Sequence, residues 1–134
     1  MSDFLVSPFA APRILLMTLD PVRFAHFLSL VPDTSRVALL DQLAADVRKV
    51  AADVARAWTE PPDWDGLRCP CQALIGLAST IGAEAAHAAA TALDEAARAC
   101  DVAAATVAHD HLIRVEAALL AEIGAAYHRA KVCA

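Results

Sequence analysis

The chain has 134 residues, the size of one ordinary domain, and 58% of them are hydrophobic, so one core can be filled without a second unit. Aromatics are only 5% and alanine dominates the apolar fraction, which favours helix over sheet. The formal net charge is -5 and no stretch clusters Lys and Arg, which argues against a nucleic-acid partner; apolar runs are broken within about a dozen residues, too short to span a membrane.

The opening segment, MSDFLVSPFAAPRILLMTLDP, lacks a basic leader region and carries Asp3, so no signal peptide is expected. Residues 1–18 hold Pro8 and Pro12 and show no apolar period. They read as an arm that lies on the folded unit or is partly mobile, and residues 19–134 read as one helical domain. Cys69, Cys71, Cys100 and Cys133 read as free thiols, and a cytoplasmic location is the default that follows.

Asp20-Pro21 is a helix start, because Asp can cap and Pro suits the first turn. A short helix over about 20–30 carries Phe24, Phe27 and Leu28, and Pro32-Asp33-Thr34-Ser35 ends it and caps the next. Val37, Leu40, Leu43, Val47, Val50, Val54 and Trp58 then recur at steps of three and four, one apolar stripe along a long helix. Glu60-Pro61-Pro62-Asp63 stops it. A third helix, about 65–81, buries Leu67, Cys71, Leu74, Ala78 and Ile81. Pro70 either kinks it or delays its start to near Cys69, and Gly82 is placed to end it in the left-handed region.

A fourth helix, about 83–99, is nearly all alanine around Leu93, with Glu84, Asp94 and Glu95 expected on solvated faces. Asp101 caps the last helix, about 102–130, which shows Leu112, Val115, Leu119, Ile123 and Tyr127. Short connections between long helices make neighbours antiparallel. The expected architecture is all-α: an up-down-up-down antiparallel four-helix bundle with a short N-terminal helix.

The outer side of the third helix carries Arg68, Gln72, Ile75, Gly76 and Ser79 on one stripe. Glycine inside a helix costs about 1 kcal/mol relative to alanine, so Gly76 suggests a place where another backbone comes close, with Ile75 as an apolar contact beside it. The plainer alternative gives Gly76 no role and covers Ile75 with the N-terminal arm.

The segment Asp65-Gly-Leu-Arg-Cys-Pro-Cys-Gln-Ala-Leu-Ile-Gly-Leu-Ala-Ser-Thr-Ile-Gly-Ala83 resembles the central motif of histidine phosphotransfer (HPt) domains. That motif has a His, two residues, a Lys and a Gly, then small residues and an Ile-Gly or Leu-Gly helix end. Gln72 stands at the phosphorylated histidine, Ile75 at the lysine, Gly76 at the glycine and Ser79 at a small position, and Ile81-Gly82-Ala83 matches the helix end. Leu19-Asp20-Pro21 and the Ala-rich segment Glu84 to Asp101 are similar to the family's flanks, and the resemblance covers roughly 19–125.

The departures carry the functional expectation. A glutamine amide nitrogen is not nucleophilic, since its lone pair is delocalised into the carbonyl, and Ile75 cannot supply the lysine's charge. The resemblance therefore implies a pseudo-phosphotransfer protein of two-component signalling, not an enzyme. It would bind a response-regulator receiver domain or a histidine kinase through Arg68, Gln72, Ile75, Gly76 and Ser79, with no cofactor. Two alternatives stay open: an active phosphotransferase using another histidine, and a structural or oligomerising bundle unrelated to signalling. His26, His87, His109, His111 and His128 are expected at the surface or partly buried, with His109 and His111 pointing to different sides. Cys69-Pro70-Cys71 lacks a second pair for zinc, so no metal site is expected; Cys71 reads as core and Cys69 as exposed.

Overall fold

A computed structural model describes residues 18–133. The arm expected over residues 1–18 lies outside the described residues except for Thr18. The described residues form helices and one short 3-10 turn, and no strand occurs among them.

Helix α1 spans Pro21–Ser29 and starts as its sequence dictates. The Asp20 carboxylate accepts hydrogen bonds from the backbone N–H groups of Val22 (2.9 Å) and Arg23 (3.3 Å), and Pro21 takes the first turn. The turn Asp33–Ser35 leads into α2, Arg36–Ala57. Ser35 sits at the cap position, yet its hydroxyl makes no capping bond; the tight turn ahead of it sets the helix start instead. Along α2 the residues Leu40, Leu43, Val47, Val50 and Val54 are buried, while Val37 and Trp58, at the two ends of the predicted stripe, are half-buried.

Helix α3, Trp64–Ile81, begins under an Asp63 cap, whose carboxylate accepts the Gly66 N–H at 3.0 Å. It runs through Pro70 without interruption, so of the two expected placements the later start near Cys69 is excluded. Pro70 is buried and has no N–H to give the Gly66 carbonyl. All five predicted core residues, Leu67, Cys71, Leu74, Ala78 and Ile81, are buried.

Gly82 ends α3 at φ 79°, in the left-handed region. A Cβ there would lie 2.6 Å from the Cβ of Arg23, so conformation and the close approach of α1 both require glycine. The Asp20 N–H donates to the Gly82 carbonyl at 2.8 Å, tying the start of α1 to the end of α3.

Helix α4 is Glu84–Arg98 and helix α5 is Val102–Cys133. Asp101 caps α5, accepting the Ala104 N–H at 3.1 Å, and the preceding Cys100 takes φ 53° to make the turn. The last helix runs three residues past its predicted end near 130. Packing runs α2 on α3, α3 on α4, α4 on α5 and α5 back on α2, with α1 laid on α3. At the centre lie Leu40, Val47, Leu67, Leu74, Leu93, Leu112, Leu119 and Ile123, all essentially without solvent exposure. Each such side chain contributes about 1.5–3 kcal/mol by leaving water. Helix α4 contributes mostly alanine, with Ala86, Ala89, Ala90 and Ala97 buried around Leu93. At the chain's described start, the N–H and hydroxyl of Thr18 and the N–H of Leu19 donate to the Glu122 carboxylate of α5. No described helix is long and apolar enough to cross a membrane.

Candidate functional site

The helical period of α3 divides it cleanly. One side enters the core, and the other carries all five candidate residues on one face: Gln72, Gly76 and Ser79 exposed, Arg68 and Ile75 half-buried. Ile75 differs from its expectation as a free-standing apolar contact, because part of its side chain packs on the core edge. Among the described residues nothing approaches Gly76: a Cβ added there would meet none of their atoms within 4 Å. No backbone among the described residues fills the expected notch. Gly76 also opens onto a groove of about 430 Å³ between α2 and α3, floored by Val50, Pro70, Ala73 and Leu77.

The neighbouring helix completes the face. On α4 the residues His87, Thr91, Asp94 and Arg98 recur at steps of four, three and four. The chain reverses at Gly82, so α4 runs back along α3: Asp94 meets Gln72 and Arg68, and His87 meets Ser79 at the other end. The expectation that Asp94 lies on a solvated face is corrected. Asp94 is 2% exposed. Its Oδ1 accepts from Arg68 Nε at 3.3 Å, and its Oδ2 accepts from Gln72 Nε2 and Arg98 Nη2, each at 2.9 Å. Every donor of this rosette sits nearer the surface than the carboxylate it serves, with the Arg68 and Arg98 side chains 41% and 60% exposed. The Gln72 amide nitrogen is thus committed as a donor; the reverse orientation would set its oxygen against the carboxylate.

At the far end of the face, Arg23 of α1 donates through Nη2 to the Ser79 carbonyl at 2.7 Å and lies 3.7 Å from Glu84. Arg23, Ser79, Glu84 and His87 line a hollow of about 230 Å³.

The two cysteines of Cys69-Pro70-Cys71 part company, Cys69 exposed and Cys71 buried. Burial, and then the charges of Asp94 and Glu116, push the Cys71 thiol up to about 12. A thiol so raised stays protonated at neutral pH, which disfavours thiolate chemistry at Cys71. No group of three or more His, Cys, Asp or Glu side chains able to hold a metal forms among the described residues.

Two further buried polar residues escaped the sequence reading. His109 is buried, correcting its expected place at or near the surface, while His111 is exposed on the other side of α5 as expected. The His109 ring stacks on Trp58 with centroids 4.1 Å apart and planes 7° apart. Burial lowers its pKa against the opposing pull of Asp110, whose Oδ1 is 3.8 Å from Nδ1. Glu116 is 4% exposed, and burial pushes its carboxyl up to about 7. His109 Nδ1 and Glu116 Oε2 have no hydrogen-bond partner among the described residues.

Two of these three buried polar residues had a positional signal. Asp94 lies four residues after buried Ala90 and three before Ala97; Glu116 lies four after Leu112 and three before Leu119. Comparison with protein-family models, with curated proteins and with solved structures finds no match.

Proposed function

We propose that the chain is an HPt-like, up-down-up-down four-helix bundle that docks a receiver domain or the dimeric core of a histidine kinase without carrying phosphate. The docking face is the outer side of α3, with Arg68, Gln72, Ile75, Gly76 and Ser79, flanked by α4. Its action is occupancy: it sequesters a receiver or blocks a kinase. A cytoplasmic location goes with this reading. The observation that carries it is the Gln72 carboxamide, solvent-facing where the resembling motif has its histidine and bonded as a donor to Asp94. An amide nitrogen so placed cannot attack phosphorus, yet none of the described residues covers Gly76 beside it. The order of helices and the antiparallel run of α3 and α4 agree with the resemblance.

Calorimetric titration against receiver and kinase domains of the same genome tests the proposal. Binding is expected to at least one of them. Gly76→Arg is expected to weaken it by about 100-fold, the effect of a bulky charge at an interface centre. The open space at Gly76 lets that variant fold. No binding to any domain, or binding indifferent to Gly76→Arg, sinks the proposal.

One observation favours a second reading, phosphotransfer through another histidine. His87 shares its hollow with Ser79 and the Arg23 guanidinium on this same face. Incubation with a phosphorylated receiver would then leave acid-labile phosphate on the chain, and His87→Ala would abolish it. Absence of label removes this reading and leaves the first intact.

A further inference from the structure

We propose that Arg68 and Arg98, aimed by the buried Asp94, form a paired guanidinium clamp for the carboxylates of an acidic protein surface. The inference rests on the docking reading of this face and names the chemistry of what docks.

Stability does not account for Asp94. Taking a carboxylate out of water costs several kcal/mol, and its ion pairs at best roughly repay that cost. Elsewhere on α4 the buried positions Ala86, Ala89, Ala90 and Ala97 show that alanine closes the same helix seam with no polar group. An alanine at 94 would serve the core as well. What Asp94 adds is order at the surface. It holds two long, rotamer-rich side chains, one from each helix, on either side of Gln72.

Among the described residues the geometry leaves the useful half of each guanidinium free. Arg68 spends only Nε on Asp94, so both of its Nη groups remain for an outside acceptor. Arg98 spends only Nη2, leaving Nε and Nη1. No other carboxylate among the described residues pairs with either side chain; Asp65, one turn before Arg68, makes no ion pair with it. Within the rosette two guanidinium groups face one carboxylate, on a chain whose net charge is -5. A guanidinium fork matches a carboxylate in plane and spacing. Because Asp94 has already fixed both forks, a partner orders less on binding, and affinity rises accordingly. Asp94 is the positioning residue, and Arg68 and Arg98 make the contact.

The test uses the full-length chain, isotope-labelled, and a short polyglutamate peptide at low salt, read by NMR on the arginine Nε–H and glutamine side-chain amide signals. Saturable shifts are expected at Arg68, Arg98 and Gln72 ahead of other sites. The double substitution Arg68→Gln with Arg98→Gln is expected to weaken binding by about tenfold or more, and Arg56→Gln on α2 to leave it unchanged. Glutamine keeps an amide donor facing Asp94, so the fold is preserved. Asp94→Asn is expected to broaden both arginine signals in the free protein and to weaken polyglutamate binding, and the second effect is one that an aspartate serving only the packing would not have. Shifts spread evenly over Lys49, Arg129 and Lys131, no shift at all, or equal affinity in the double variant overturns the clamp. If the clamp fails while a receiver still binds and Gly76→Arg still blocks it, the docking reading stands alone. If polyglutamate is captured but no receiver or kinase domain is, the clamp stands and the named partners fall.

Discussion

Two regions of the helical fold bury charge-bearing side chains, and they do it in opposite ways. At the seam of α3 and α4 the Asp94 carboxylate is surrounded by three donors. On the core side of α5, Glu116 leaves Oε2 without a partner and His109 leaves Nδ1 without one among the described residues. Burial shifts both α5 groups toward their neutral forms, Glu116 up and His109 down. A buried polar group can be met by donors or pushed toward its neutral form by its surroundings, and the described residues show both. The donors gather next to the surface, where they can act on something outside. The push toward neutrality comes where only the packing of α5 is at stake.

The strongest way to break this contrast is to strip the donors from Asp94. Replacing Arg68, Gln72 and Arg98 together by leucine leaves a buried carboxylate with no partner. A loss on the order of 3–5 kcal/mol is expected in urea unfolding at neutral pH. Adding Asp94→Ala to the triple variant should recover most of it, because the stranded charge is gone. If the quadruple variant stays as unstable as the triple, the three side chains support the fold directly and the seam is an ordinary packing contact.

The next effect lies on α5. The Glu116 carboxyl is pushed from 4.5 to about 7 in the folded chain. Between those values the folded protein keeps a proton that the unfolded chain has released. Stability from this group is therefore full below about pH 4.5 and falls as pH rises through 7. The shift corresponds to on the order of 3 kcal/mol lost across the window. Glu116→Gln cannot ionise, so its urea midpoint should change less between pH 5 and pH 8 than the wild type's. Equal slopes for the two proteins would show that Glu116 reaches water or a donor in solution.

Most of the fold was legible because its instructions are local. Asp20-Pro21, Gly82 and Asp101 each act on the backbone within a few residues, and each stands where the sequence places it, whereas Asp63, read only as part of the stop before α3, turns out to be its cap. The stripes of α2 and α3 were legible because leucine, valine and isoleucine outline a period. On α4 and α5 the same period runs through Asp94 and Glu116, but at Asp94 a charged residue type argued for solvent and outweighed position, and Glu116 drew no expectation. The candidate face was half legible. Arg68 to Ser79 share a side of α3 by helical spacing alone, whereas the meeting of Gln72 with Asp94 depends on how α4 slides along α3. No period within one helix encodes that register.

The smallest expected effect sharpens the contrast within α5 itself. His109 has its pKa lowered, so an unfolded chain takes up the proton near 6.5 while the folded chain still resists it. Stability from this group is present above 6.5 and is lost as pH falls toward the lower folded value, the reverse of Glu116. His109→Phe keeps an aromatic ring against Trp58, stacked at 4.1 Å in the parent, and removes both the unpaired nitrogen and the titration. A gain of about 1 kcal/mol is expected on the acid side, with little change at pH 8. Trp58 fluorescence should lose its acid dependence in step. The two substitutions act on opposite flanks, so combining them should flatten the stability profile that each alone leaves tilted. A His109→Phe protein that keeps the parent's acid-side slope would place the proton elsewhere and make the Trp58 stack a matter of shape alone.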